Sequence, residues 1–209
     1  MRRIVAVVVG GLLLAGCSSN APSTDAPAEL RSGFTVKGFT IEPGAYLVGA
    51  DLRGANLADT DLAGAYLTNA DLRDANLRDA DLAGADLFTA NLTNADLTNA
   101  DLMAADLVDA NLTRAILVDA HMYYANLNYA NLNYANLYRA TLRNADLSNA
   151  DLFNADLTEA NLWYTNLYYA NLTNADLTNA DLEDANLEGA TLTDTNLTGA
   201  TMPDGSIHK

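Results

Sequence analysis

The sequence predicts an all-β solenoid, a rod of stacked four-sided coils, and three observations carry that prediction. Every fifth residue from Leu47 to Met202 is Leu, apart from Met122 and Met202 themselves. Two residues before each of these centres stands Ala, replaced only at Thr60, Thr165 and Thr195. The phase runs through residues 45–204 without one insertion or deletion. A period this strict marks a one-dimensional stack of repeats, not a single globular core, and the 50% apolar content is largely Ala and Leu at fixed places in the repeat.

A period of five is incompatible with both regular structures. An α-helix advances centres five apart by about 500°, which scatters Leu around every side. A plain strand sends alternate centres to opposite faces. Burial of every Leu works if each unit makes a short extended piece and then a corner, so that four units close a square with Leu and Ala pointing inward. Ala is demanded beside Leu because four Leu side chains fill the square and leave room for little more than a methyl. Each buried Leu contributes roughly 1.5–3 kcal/mol, and truncating one costs about 2–5 kcal/mol.

Units such as Ala95-Asp96-Leu97-Thr98-Asn99 and Ala90-Asn91-Leu92-Thr93-Asn94 resemble those of the pentapeptide-repeat proteins. The resemblance implies a right-handed, quadrilateral parallel β-helix with 20 residues per coil, hence about eight coils in residues 45–204. With roughly 4.8 Å between stacked strands, the rod is expected to be about 38 Å long.

The chain before the repeat divides into three parts. Residues 1–16 read as a signal peptide, with Arg2 and Arg3 ahead of a short apolar run from Ile4 to Leu14. That run falls well short of the roughly 20 residues of a spanning helix. Leu14-Ala15-Gly16-Cys17 resembles the lipobox of bacterial lipoproteins, which implies that Cys17 becomes an acylated N-terminus and anchors the chain in a membrane. Ser18, not Asp, follows the cysteine. By the sorting habit of such lipoproteins this implies a cell-envelope location: the outer membrane of a diderm bacterium or the outer face of the membrane of a monoderm one. Residues 17–30, rich in Ser, Pro, Ala, Thr and Asp, read as a flexible tether. Residues 31–44 are expected to cap the first coil with a short extended segment built on Phe34, Val36, Phe39 and Ile41, ended by Glu42-Pro43-Gly44. Residues 205–209 form a tail after the last coil, too short to cover the end of the stack, so an end-to-end homodimer is a further expectation.

The charge balance narrows the partners. Lys and Arg number 11 against 27 Asp and Glu, a net charge of −16. Such a chain repels phosphate backbones, which argues against direct binding of nucleic acid. The single cysteine allows no intramolecular disulfide. Stacking places Asp61, Asp81 and Asp101 in one row, but a flat row supplies too few of the six to eight oxygens that Ca²⁺ takes, and no cofactor is expected. Asn91-Leu92-Thr93 matches a glycosylation acceptor as a by-product of the repeat. His121, Thr141 and His208 lack the neighbours that a nucleophile-base-orienter set needs, so no enzyme is expected.

One band breaks the exterior pattern. From Asn111 to Ala140 the sole acid is Asp119, and aromatics gather at outward positions: Tyr123, Tyr124, Tyr129, Tyr134 and Tyr138, followed by Phe153, Trp163, Tyr164, Tyr168 and Tyr169. A spacing of 20 aligns Tyr123, Arg143 and Trp163 as an aromatic-cation-aromatic sandwich, and Asp119, Arg139 and Glu159 as a second row. Aromatics and Arg dominate binding hot spots, so the band is a candidate surface for a protein or glycan partner. Ladders of Tyr and Arg also stabilise stacked strands, by roughly 0.2–1 kcal/mol a pair, which is the alternative account of the same residues. The family resemblance implies a different function as well, because some pentapeptide-repeat proteins mimic DNA and bind DNA gyrase. The export signal at Cys17 disfavours that second reading, since gyrase is cytoplasmic.

Overall fold

The computed structural model describes residues 31–209. The signal peptide, Cys17 and the tether predicted over 17–30 lie outside the described residues.

Residues 45–204 form a right-handed, four-sided parallel β-helix. Each coil takes 20 residues, because the residue before each centre pairs in parallel with the residue 20 further on, in a continuous series from Tyr46↔Tyr66 to Asp181↔Thr201. The four sides are named by their first centres: Leu47 opens the first, Leu52 the second, Leu57 the third and Leu62 the fourth. Every Leu centre from Leu47 to Leu182, with Met122, is no more than 1% exposed, and the Ala column is buried beside it. Apolar burial is therefore continuous along the axis, the arrangement that the period of five requires.

The corners show why the unit has five residues. Centre, two corner residues and the next Ala form a turn closed by an N–H···O=C bond from the Ala to the centre, as in Ala50 to Leu47 at 3.0 Å. The second corner residue has positive φ at every unit from Gly49 to Gly199, near 55–60° for most non-glycine residues. This is the type II pattern, in which Gly or Asn is the lowest-energy occupant of that position.

The Asp or Asn before each centre has a structural task that composition alone does not reveal. Its Oδ1 accepts the N–H of the first corner residue two positions on, as in Asp81 from Ala83 at 2.8 Å, Asp101 from Met103 at 2.9 Å and Asn131 from Asn133 at 3.0 Å. The unit is then fully accounted for. The N–H groups of the centre and second corner residue bond to the following coil, that of the Asp or Asn bonds to the preceding coil, and that of Ala closes the turn. The side-chain carbonyl takes the fifth. The row Asp61, Asp81, Asp101 is thus a row of turn caps, each carboxylate engaged by its own corner.

Thr at an Ala position is tolerated because its hydroxyl finds a carbonyl. Thr165 donates to Leu142 at 2.8 Å, Thr195 to Leu172 at 2.7 Å and Thr60 to Leu57 at 2.7 Å. Thr60 and Thr165 are fully buried, and an unpaired hydroxyl there would cost about 1–3 kcal/mol.

The ends are unlike each other. Where the sequence predicts one extended segment, the N-terminal end carries a hairpin, β1 (Phe34–Val36) and β2 (Phe39–Ile41), in the register Val36↔Phe39. Its two loop residues, Lys37 and Gly38, both have positive φ, the type I′ turn that matches the twist of a tight hairpin. Ile41 is fully buried, and Phe34, Val36 and Phe39 pack against the core. Arg31 and Lys37 donate to the outward carbonyls of Ala58 and Arg53, which satisfies acceptors of the first coil. At the C-terminal end the tail folds back, with Ile207 pairing antiparallel to Thr201 and the His208 N–H bonded to the Ala200 carbonyl at 2.8 Å. It covers the fourth side, while Leu187, Leu192 and Leu197 are only partly buried.

Candidate functional site

The backbone distributes the ten aromatic residues of the band over all four corners. Tyr123, Tyr124, Trp163 and Tyr164 lie on the corner after the fourth side, together with Arg143. Tyr129, Tyr168 and Tyr169 follow the first side, Tyr134 and Phe153 the second, and Tyr138 the third. The band is therefore a belt around the rod rather than one flat patch. It is densest along the two edges of the first side, whose own face carries an amide ladder. There Asn166 donates to Asp146 at 3.0 Å and Asn186 donates to Asn166 at 3.1 Å.

Position within the corner decides exposure. Tyr138, Arg143, Phe153, Trp163 and Tyr168 occupy first corner positions and are half-buried. Tyr124, Tyr129, Tyr134, Tyr164 and Tyr169 occupy the second position and are 49–65% exposed. These five adopt φ of 55–61°, a left-handed conformation that costs a bulky side chain roughly 1–2 kcal/mol. Tyr123 is a first corner residue at the margin of exposure.

Stacking is local. Phe153 meets Tyr134 edge-on at 5.8 Å, Trp163 meets Tyr164 at 4.3 Å, and Tyr168 meets Tyr169 at 4.3 Å. The Tyr169 ring also lies over Gly189 in the next coil, so close that a Cβ on Gly189 would stand 2.7 Å from it. The Arg114 guanidinium sits 5.4 Å from the Tyr134 ring and that of Arg139 5.9 Å from Tyr138.

Both rows expected from the spacing of 20 form in part. The Arg143 guanidinium lies 3.7 Å from the Trp163 ring centre, but no cation-ring contact joins it to Tyr123 among the described residues. Arg143 leans toward the C-terminal coil, so the sandwich has two members and not three. In the other row Arg139 pairs with Asp119 at 3.3 Å, while Glu159 accepts from the Tyr138 hydroxyl at 3.2 Å. Asp184 beside the Tyr164 hydroxyl holds that phenol above its ordinary pKa, and Tyr168 is raised first by its hydrogen bond with Tyr169. Both phenols are neutral hydrogen-bond donors at neutral pH.

A shallow cavity of about 310 Å³ opens on the fourth side, lined by Arg143, Asn161, Trp163, Asp181 and Glu183. Asp181 and Glu183 fall outside the band read from the sequence, where two more acids in an acid-rich chain carry no signal. The spacing of 20 from Asn161 and Trp163 is what identifies them. His121 is exposed on the same side and pairs through its backbone with Asp101 and Thr141. Among the described residues no cluster of His, Cys, Asp and Glu is arranged to hold a metal ion.

Comparison with known proteins agrees with this geometry. A family model described as pentapeptide repeats matches in eight copies that overlap between residues 45 and 204. HetL, a pentapeptide-repeat protein involved in heterocyst differentiation regulation from the cyanobacterium Nostoc sp. strain PCC 7120, is 37% identical. The match covers 79% of this chain and 86% of HetL, with a TM-score of 0.48. QnrB1, a plasmid-mediated fluoroquinolone resistance protein, is 19% identical over 77% of this chain and 72% of its own, with a TM-score of 0.53, a likeness of fold. A search of curated proteins finds no match. With its repeats matched from residue 45 to residue 204, the chain belongs to the pentapeptide-repeat family.

Proposed function

We propose that the protein is a non-enzymatic binding module of the bacterial cell envelope, held to a membrane by lipid on Cys17 and engaging a protein or glycan through its aromatic belt. The observation that carries the binding half is the set of tyrosines at second corner positions. Tyr124, Tyr129, Tyr134, Tyr164 and Tyr169 stand where Gly, Asn or Asp serves the fold at lower cost, and all five present their rings to solvent. Tyr124 and Tyr129 make no ring-ring or cation-ring contact among the described residues, so cross-strand stabilisation does not account for them. Large exposed aromatics held on a rigid β-stack are suited to stacking on sugar rings or to filling pockets of a partner. The envelope half rests on Leu14-Ala15-Gly16-Cys17.

Fractionation of cells expressing the full chain, with mass measurement of the N-terminal peptide, tests the location. Acylated Cys17 in a membrane fraction is expected. A soluble protein with Met1 to Cys17 intact would overturn the location and make gyrase inhibition the next assay. For binding, wild type and the double variant Trp163→Ser, Tyr123→Ser are compared on an array of envelope glycans and peptides. Loss of binding with an unchanged melting temperature is expected, whereas joint loss of binding and stability would make the two residues part of the fold instead.

The C-terminal end supports self-association as a second property. Leu187, Leu192 and Leu197 are partly exposed there, and their N–H groups have no hydrogen-bond partner among the described residues. An unpaired strand edge over apolar side chains is a template for pairing, and two rods meeting by these ends would bury it. Sedimentation across micromolar concentrations is expected to show a dimer, and a constant monomer mass would rule it out.

A further inference from the structure

We propose that the cavity on the fourth side binds the zwitterionic head of an α-amino acid, with its carboxylate on Arg143 and its ammonium between Asp181 and Glu183. The inference rests on the reading of the aromatic belt as a binding surface and names one ligand class for it.

The argument begins with how the charges are held. Arg53, Arg73, Arg78 and Arg139 each pair with an aspartate at 2.6–3.3 Å. Arg143 does not. Among the described residues it makes no salt bridge and no hydrogen bond through its side chain, although Asp181 and Glu183 line the same cavity. Its guanidinium carbon lies over the indole instead, 3.7 Å from the ring centre, and its N–H fork is left unused by the protein. A planar fork without a carboxylate is a ready donor to one, since the bidentate pair is the strongest arrangement open to it.

The opposite wall has the complementary chemistry. Asp181 uses Oδ1 to cap the Glu183 N–H at 3.1 Å, and its other oxygen has no protein partner among the described residues. The Glu183 side chain has none either, and it is exposed at the cavity edge. Asn161 spends its Oδ1 on the Trp163 N–H at 3.1 Å and keeps its amide N–H₂ available. One fixed cation, two carboxylates and a free amide thus surround one aromatic face, in a volume of about 310 Å³. That volume lies at the small end of ligand sites, near the size of a single amino acid or a short peptide terminus.

Simple ions fit less well. A plain anion would meet two carboxylates and a chain of net charge −16. A plain cation would find the indole face already occupied by Arg143. A ligand with both charges engages every wall, and the coil spacing keeps residues 143, 163 and 183 in one column at fixed intervals without help from the ligand.

Trp163 is the only tryptophan in the chain, so its fluorescence reports on this cavity alone. The full chain is titrated with L-leucine, with N-acetyl-L-leucine, which lacks the ammonium, and with L-leucinamide, which lacks the carboxylate. A saturable change in Trp163 emission with L-leucine is expected, with at least about tenfold weaker response to each derivative, since each loses one charge-assisted contact. Arg143→Gln and Glu183→Gln are each expected to weaken L-leucine by a similar factor and to leave the melting temperature unchanged. No saturable change up to about 50 mM, or an equal response to all three probes, would overturn the assignment. A response to the neutral oligosaccharide chitotetraose without one to L-leucine would also overturn it, while leaving the belt as a binding surface.

Discussion

Two stretches of the rod share one interior and differ at their corners. In the coils from residue 45 to residue 104 the second corner residue is Gly, Asp or Asn at all but Thr89 and Ala104, the types for which a left-handed backbone costs least. From Arg114 to Tyr134 the same position holds Arg114, Asp119, Tyr124, Tyr129 and Tyr134, and it returns to Tyr at Tyr164 and Tyr169. The Leu and Ala columns run buried beneath both stretches, broken only by Thr60 in the first and by Met122 and Thr165 in the second. The comparison separates two demands on the sequence: the interior is set by packing, and the first stretch shows what corners look like when the fold alone chooses them. The second stretch departs from that standard toward exposed aromatic area at some cost in backbone energy, as expected of a surface selected for contact.

The interior half of the comparison is the easiest to break. Leu132 is fully buried under the belt, and Leu132→Asp would place a carboxylate among leucines, at a cost beyond the roughly 2–5 kcal/mol of simple truncation. Loss of the cooperative melt is expected by circular dichroism. Leu192→Asp, at the partly exposed last coil, is expected to lower the melting temperature by only a few degrees. Equal effects at the two sites would mean that burial does not hold the stack together.

The corners sharpen it. Replacing Tyr124 and Tyr129 by Asn relieves left-handed strain of roughly 1 kcal/mol per corner, and neither ring has an aromatic or cationic contact to lose. The double variant is expected to melt a few degrees higher than wild type. A lower melting temperature would show that the tyrosines support the stack, and the belt would then need no partner to explain it.

Capping gives a smaller effect with a sign that reverses between sites. Asn131→Ala removes the acceptor of the Asn133 N–H, at a cost of about 1 kcal/mol. At Ile116 the native residue offers no cap, and the Val118 N–H is unpaired among the described residues. Ile116→Asp is therefore expected to stabilise by a similar amount. Thermal melts of the two variants should move in opposite directions.

What could be read without coordinates follows the same division. The Leu and Ala columns point to a stack of short extended pieces and corners because helix and plain strand both fail to bury a period of five, the resemblance of the unit to pentapeptide repeats supplies the coil of 20, and the residues of the belt are visible because Tyr stands out among Asp, Asn and Thr. Less legible was how those residues are arranged. The left-handed strain at Tyr129 depends on where the turn falls within the unit, and the Asp or Asn caps look like a solvated face until their Oδ1 atoms are seen to meet an N–H. Spacing aligned Tyr123 with Arg143 but did not say which way the arginine would lean. The hairpin cap was hidden because Lys37-Gly38 is a weak turn signal beside Glu42-Pro43-Gly44.

The last contrast is electrostatic. Asp51 and Asp71 are held below the ordinary carboxylate range chiefly by the hydrogen bonds of Arg53 and Arg73. Burial pushes Asp96 upward, but the Thr98 hydroxyl and N–H and the Arg78 guanidinium outweigh it, so Asp96 is also depressed. A depressed carboxylate contributes stability that is complete above its unfolded value, about 3.9, and is lost as pH falls through the folded one. These three groups lie in the first coils, whereas Asp119 is the sole acid from Asn111 to Ala140. On acidification below about pH 4, amide exchange is expected to quicken first in residues 45–100 and later in the belt. The pairs are exposed, so the effect is small, and added salt should shrink the share due to Arg53 and Arg73. Exchange that rises uniformly along the rod would show that the two stretches respond to acid as one cooperative stack.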